Sequence, residues 1–176
     1  MNVHVCATHA AHEPHRPVDP VRLAEANINP STGLATDYLN HFNEAIMMLE
    51  LIPTMPDCIE DLMAWTVISY REHFLSTHQK HRDVVLAAYD AADPQARRLL
   101  DEIAETMDSI LTATRNALRL DLSPGVAAGL AREAASQLKP LIARAGAVIN
   151  GFNISDDVPL AGVAQAAVDA LLVRRT

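Results

Sequence analysis

The sequence predicts an all-α fold, an up-and-down antiparallel helical bundle of four main helices plus a C-terminal fifth helix, with a flexible N-terminal tail. Apolar residues recur at intervals of three and four along every long segment, and no segment alternates with the period of two that strands show. The connections are short, so successive helices are expected to run antiparallel. We expect residues 1–20 to be the His- and Pro-rich tail and residues 21–176 a single domain with one core.

The first main helix is predicted over residues 37–52. Three prolines keep the preceding tail from forming a helix, residues 21–28 are expected to make a short helical turn, and "NPSTG" is expected to be a loop. Pro53 and Pro56 end the first main helix, since proline cannot continue the hydrogen-bond ladder. Its apolar face consists of four residues, Leu39, Phe42, Ile46 and Leu49.

A second, long helix is predicted over residues 58–91, with Asp57 as its cap. A strict alternation of four- and three-residue steps marks the side that should face the core. Trp65 falls outside this seam, so we expect it to pack against the fifth helix or to mark an interaction surface. The seam comprises Met63, Val67, Tyr70, Phe74, Thr77, His81, Val84 and Ala88.

The remaining helices are predicted over residues 94–120, 124–150 and 158–174. Asp93-Pro94 and Ser123-Pro124 are start signals, because a cap residue followed by proline favours the first helical turn. The core side of the third helix should hold Ala96, Leu100, Ile103, Met107, Ile110, Thr114 and Ala117. The last helix is amphipathic through Leu160, Val163, Val168, Leu171 and Leu172.

Composition excludes some partners and compartments. The formal net charge is −8, which argues against nucleic acid and against an anionic membrane surface, because both are bound mainly through Lys and Arg. Cys6 and Cys58 are too few for a disulfide framework, and the N-terminus has no apolar stretch typical of a secretory signal. The longest apolar runs are too short to cross a bilayer. We therefore expect a cytoplasmic protein.

Histidines and carboxylates of the first two long helices form the candidate metal site. Folding back across the turn at 53–57 should bring His41 level with Tyr70 and within about one turn of His73, with Glu44 in reach. His78 and His81, three residues apart, are the second choice, with Glu105 nearby. Fe or Zn would suit imidazole and carboxylate ligands. The competing interpretation is an inert polar layer in the core, since metal-binding patterns such as Glu-x-x-His are missing from the sequence.

The tail holds a second histidine cluster and could capture a metal, although a short Pro-broken tail is more often only solvated. Its potential ligands are His4, Cys6, His9, His12 and His15.

No complete set of nucleophile, base and oxyanion donors can be assembled from the sequence, so we expect a protein that is not an enzyme. The favoured function is helix packing with itself, as a homo-oligomer, or with a protein partner, in a regulatory or adaptor role. The alternative is binding of a metal or small ligand by the histidine site. The expected interaction residues are Trp65, Leu160, Val163, Leu171 and Leu172.

Overall fold

The computed structural model describes residues 20–76 and 81–152, and it confirms that the protein is all-α. Within these ranges the chain forms helices and no strand; its one β-type contact is an isolated bridge between Ile28 and Ala35. The helices are α1 (Pro20–Glu25), α2 (Tyr38–Leu51), α3 (Cys58–Ala64), α4 (Tyr70–Ser76), α5 (Arg82–Ala91), α6 (Pro94–Leu118) and α7 (Pro124–Ile149).

The helices α2, α6 and α7 lie within two residues of their predicted bounds and build the main core. The carboxylate of Asp93 accepts a hydrogen bond from the Ala96 N–H at 2.8 Å, which caps α6 as the Asp-Pro signal predicts. Helix α6 packs mainly on α7, and α7 also packs on α2. All four predicted apolar residues of α2 are buried, and so are Leu100, Ile103, Met107, Ile110 and Thr114 on α6.

Helices α2 and α7 run antiparallel. Near the start of α2, Leu39 faces Gly146, where an added Cβ would lie 3.8 Å from a Leu39 methyl carbon. Near its end, Glu50 forms an ion pair with Lys139. Helix α7 continues through Pro140 without interruption.

The prediction of a single helix over residues 58–91 is wrong. The chain leaves the helix after Ala64, runs without helical structure from Trp65 to Ser69, and re-enters a helix at Tyr70. Three consecutive β-branched residues, Thr66 to Ile68, occupy this interval, and such residues fit an extended backbone better than a helix. Val67 is consequently 50% exposed rather than part of a buried seam. We call residues 65–69 the extended segment.

A capping box starts α4 and explains where the extended segment ends. The Ser69 N–H donates to a Glu72 carboxylate oxygen at 2.8 Å, while the Glu72 N–H donates to the Ser69 hydroxyl at 3.3 Å. This reciprocal pair satisfies donors that a new helix leaves free. The Ser-x-x-Glu spacing was present in the sequence and would have predicted the new start.

Several predictions lie outside the described residues. They are the tail up to residue 19, His78, and the fifth helix with Leu160, Val163, Leu171 and Leu172. The division into a tail and one domain therefore stays a prediction. Among the helices that the structure describes, none combines the length and the hydropathy required to cross a membrane.

The loop between α1 and α2 is held against the ends of three other helices. The Thr32 hydroxyl donates to the Ile149 carbonyl at 2.6 Å, and the Thr32 carbonyl accepts from the Asp93 N–H at 3.2 Å. Gly33 adopts a φ of 75°, which disfavours every residue with a Cβ. A Cβ there would also lie 2.8 Å from the Ala88 carbonyl oxygen, so this loop can approach α5 only through glycine.

Two glycine substitutions should change stability in opposite directions. Gly33→Ala combines a positive φ with a backbone clash, and we expect it to lower the free energy of unfolding by at least about 1–2 kcal/mol. Gly129→Ala, inside α7 with open space around its Cβ position, should raise it by about 0.5–1 kcal/mol. Urea unfolding followed by circular dichroism measures both. Equal stability of the Gly33→Ala variant and the natural protein would contradict the tight loop packing.

Candidate functional site

Aromatic residues are scarce in this chain but gather at one place. Of one Trp, three Tyr and three Phe, all except Phe152 lie where α2, α4, α5 and the extended segment meet. Each ring contacts another member, with centroid distances between 4.3 and 6.2 Å. We call this group the aromatic cluster; its members are Tyr38, Phe42, Trp65, Tyr70, Phe74 and Tyr89.

Trp65 is a core residue, so it does not form an exposed interaction surface as predicted. The predicted fifth helix lies outside the described residues, so packing of Trp65 against it stays a prediction. Its side chain is only 6% exposed and stacks on the His41 ring, with centroids 4.5 Å apart and planes 19° from parallel. The indole N–H donates to the His41 carbonyl at 3.1 Å. The helix seam failed to place Trp65 because the residue closes α3 with an extended backbone, which redirects its side chain.

His41 is buried at the centre of this arrangement. Its residue exposure is 9%, and its ring hydrogen-bonds the backbone of Thr66, while Nε2 is shielded from solvent and has no partner within the described residues. Burial lowers the pKa of His41 below 6.5, and nearby His73 adds to this; the Thr66 bond and the Glu44 charge oppose it.

His73 approaches His41 as the turn geometry predicted. The two ring centroids are 6.1 Å apart, and the His73 ring also contacts Tyr38 at 5.8 Å and Phe74 at 4.9 Å. Burial lowers the pKa of His73 too, against the charges of Asp37 and Glu44. Both imidazoles are therefore mainly neutral near pH 7, the state in which a ring nitrogen can accept a proton or bind a metal ion.

Of the other predicted metal ligands, Glu44 and His81 lie in the described residues, and neither is assembled with the two histidines into a group that could hold a metal. Glu44 is exposed on α2, although its charge influences both His41 and His73. His81 precedes α5, and its Nε2 lies 3.9 Å from a carboxylate oxygen of Glu25. The described ranges contain no group of three or more His, Cys, Asp or Glu residues already placed to hold a metal. The metal site thus stays a prediction.

The carboxylates of α6 include two groups that the sequence did not single out. Tyr89 donates its hydroxyl hydrogen to Asp101 at 3.2 Å; burial and the neighbouring Asp101 carboxylate raise the pKa of Tyr89 to about 12. Burial also raises the pKa of Asp101. Asp101 is consequently half-buried against Tyr89 rather than fully solvated.

The carboxylate of Asp108 is less accessible to water than an ordinary surface carboxylate. Its Oδ1 is buried and has no hydrogen-bond partner within the described residues. Burial, reinforced by the charge of Glu105, raises its pKa to about 7. The charge of Asp108 is in turn felt by the hydroxyl of Tyr38, a member of the aromatic cluster.

Two surface cavities lie away from the histidines. One, of about 250 Å³, is lined by Thr32, Asp93 and Phe152 among others. The other, of about 540 Å³, includes Glu50 and Lys139. Their linings include neither His41 nor His73.

Comparison with protein families, curated proteins and solved structures finds no match to this chain.

Replacing Asp108 should stabilise the protein in a pH-dependent way. The native pKa of about 7 exceeds the ordinary value of 3.8, so the native state binds a proton that the unfolded chain releases. The corresponding stability is fully present below pH 3.8 and is lost as the pH rises through about 7. We expect Asp108→Asn to raise the free energy of unfolding at about pH 8 by roughly 1 kcal/mol, after discounting for partial solvent exposure, and to have little effect at about pH 4.

Urea unfolding at the two pH values measures this change. Glu102→Gln is the matched control, because it removes one negative charge from an exposed position on the same helix. A gain that is the same at both pH values, or one reproduced by the control, would contradict a protonated native Asp108.

Proposed function

We propose that this protein works without catalysis, by packing an exposed helix surface against a second copy of itself. The observation that supports the proposal most directly is a row of apolar side chains on α2 and the turn that follows it. These residues, Met47, Leu51 and Met55, are 53%, 36% and 54% exposed. We call them the apolar ridge.

The apolar ridge is continuous because its members are spaced by four residues. Met47 and Leu51 are neighbours on the helix surface, as residues four apart always are. Beyond the end of α2, the Met55 N–H still donates to the Leu51 carbonyl at 2.8 Å, so the backbone makes one further helical turn. Such a row of i, i+4 and i+8 residues is the kind of ridge that enters the groove of a facing helix.

The chemistry of the apolar ridge favours a protein contact. Methionine is flexible and polarisable, so it adapts to the surface that it meets. An ion pair between Glu50 and Lys139 lies beside the ridge and would supply a polar rim. Single exposed apolar residues need no explanation, but a contiguous row does. The other large apolar side chains that are exposed in the described residues are Val21, Val67, Leu75, Leu120, Val126 and Phe152.

The proposal includes the remaining predictions about architecture, location and partners. We propose a four-helix up-and-down arrangement, a cytoplasmic location and no binding to nucleic acid or membranes. The amphipathic residues Leu160, Val163, Leu171 and Leu172 would add to the contact, and a different protein is the alternative occupant. Trp65 no longer supports an interaction surface, since it is buried.

Mass measurement at micromolar concentrations tests the proposal. We expect light scattering to give a mass above the 19.1 kDa of one chain, and the triple substitution M47Q/L51Q/M55Q to return the mass to 19.1 kDa. The three side chains are exposed, so the variant should remain folded by circular dichroism.

Val126→Gln serves as the matched control, because Val126 is 51% exposed and belongs to α7 rather than to the apolar ridge. Its mass should equal that of the unsubstituted protein. A natural chain that stays at 19.1 kDa throughout, or a triple variant that still associates, would rule out self-association through this surface.

A further inference from the structure

One ring nitrogen of His41 is buried without a hydrogen bond. The residue is 9% exposed, and its Nε2 is inaccessible to solvent with no hydrogen-bond partner within the described residues. Leaving a buried polar group without a hydrogen bond is destabilising, so such an atom in a native core calls for a physical explanation. The ring also interacts with the backbone of Thr66. The ring is thereby held in one orientation by Thr66 and by the Trp65 stack.

A second imidazole lies close to the distance that a shared ion requires. With metal–nitrogen bonds of about 2.0–2.1 Å and a tetrahedral angle, two imidazoles on one ion have ring centroids about 5 Å apart. The His41 and His73 centroids are 6.1 Å apart, so a shift of about 1 Å would bring both rings onto one ion. Metal ligation also requires neutral imidazole, and burial favours the neutral form of both residues.

Glu44 can supply a third ligand. It lies three residues after His41, so both side chains emerge from the same side of α2. It is exposed, hence free to rotate, and its charge already acts on both His41 and His73. Two imidazoles with one carboxylate are a ligand set that suits Zn(II) and Fe(II). The described residues hold no preassembled group of three, so this site would close only when Glu44 turns toward the histidines.

We propose that His41, Glu44 and His73 bind one divalent transition-metal ion between α2 and α4, with its remaining coordination position open to water. The hydrogen bond to Thr66 orients the first imidazole in the way that outer-shell partners orient metal-bound histidines. The Trp65 ring stacks on the face of the His41 imidazole. This binding does not depend on the apolar ridge or on the state of association.

The single tryptophan provides a local reporter for the test. Trp65 is the only tryptophan in the chain and lies 4.5 Å from the His41 ring, so paramagnetic Co(II) bound there should quench its fluorescence. Full-length protein should be used, with the potential ligands of the tail replaced to remove competing sites. The replacements are H4Q, C6S, H9Q, H12Q and H15Q. We expect saturable quenching at one equivalent of Co(II), and competition by Zn(II).

Two ligand variants and one control decide the assignment. In the tail-substituted protein, Glu44→Gln and His73→Gln should each weaken Co(II) binding by at least about tenfold, a loss typical even of groups that only support a metal ligand. Glu44 is exposed, so its variant keeps the fold even where the His73 variant does not. Glu60→Gln, an exposed carboxylate on α3, should bind like the parent.

Three results would overturn the site. Co(II) could leave the Trp65 emission unchanged, or the Glu44→Gln variant could bind as tightly as the parent. Substitution of His78 and His81 could instead abolish binding, which would place the ion in the other candidate group.

Discussion

The interruption of the helix after Ala64 is the constraint on which the rest of the interior depends. A chain that leaves a helix inside a protein exposes carbonyl groups that no longer have helical partners, and these must be satisfied where water is scarce. Here side chains from other helices satisfy them. Arg115 donates to the Met63 carbonyl at 2.7 Å, and Tyr38 donates its hydroxyl hydrogen to the Ile68 carbonyl at 3.2 Å. The His41 ring bonds the backbone of Thr66 between them.

These hydrogen bonds determine which side chains can meet. Because Tyr38 and His41 are held on the extended segment, Trp65 turns inward and stacks on His41, and α4 begins where His73 can reach the same place. Polar groups are brought into the core in the process. Buried atoms without a hydrogen-bond partner in the described residues include Nε2 of His41, Nε of Arg115 and Oδ1 of Asp108. Natural folds accept such local costs most readily at places that serve a function.

The side chains of helix α2 lie in three different environments. Leu39, Phe42, Ile46 and Leu49 face the core, and His41 and Glu44 border the extended segment and α4. Met47 and Leu51 lie in solvent. A partner bound on the apolar ridge would therefore contact α2 about one turn from Glu44. The interior would keep the hydrogen bonds that Tyr38 and His41 make with the extended segment. Residues three or four apart share a side of a helix, so one helix can present different residues to the core, to the extended segment and to solvent.

The sequence by itself determined the all-α class, the bounds of α2, α6 and α7, and the proximity of His41 to His73. Apolar periodicity and proline signals are local, and they act in the same way in any tertiary context. Only the tertiary structure decided that Trp65 is buried, that Val67 is exposed and that burial raises the pKa of Asp108 to about 7. A periodicity of 3.6 assumes an unbroken helix, so it misplaced Trp65 and Val67, which lie at the break, although Tyr70 and Phe74 beyond it are buried as predicted. Burial of a titratable group depends on neighbours far away in the chain, which no local pattern records.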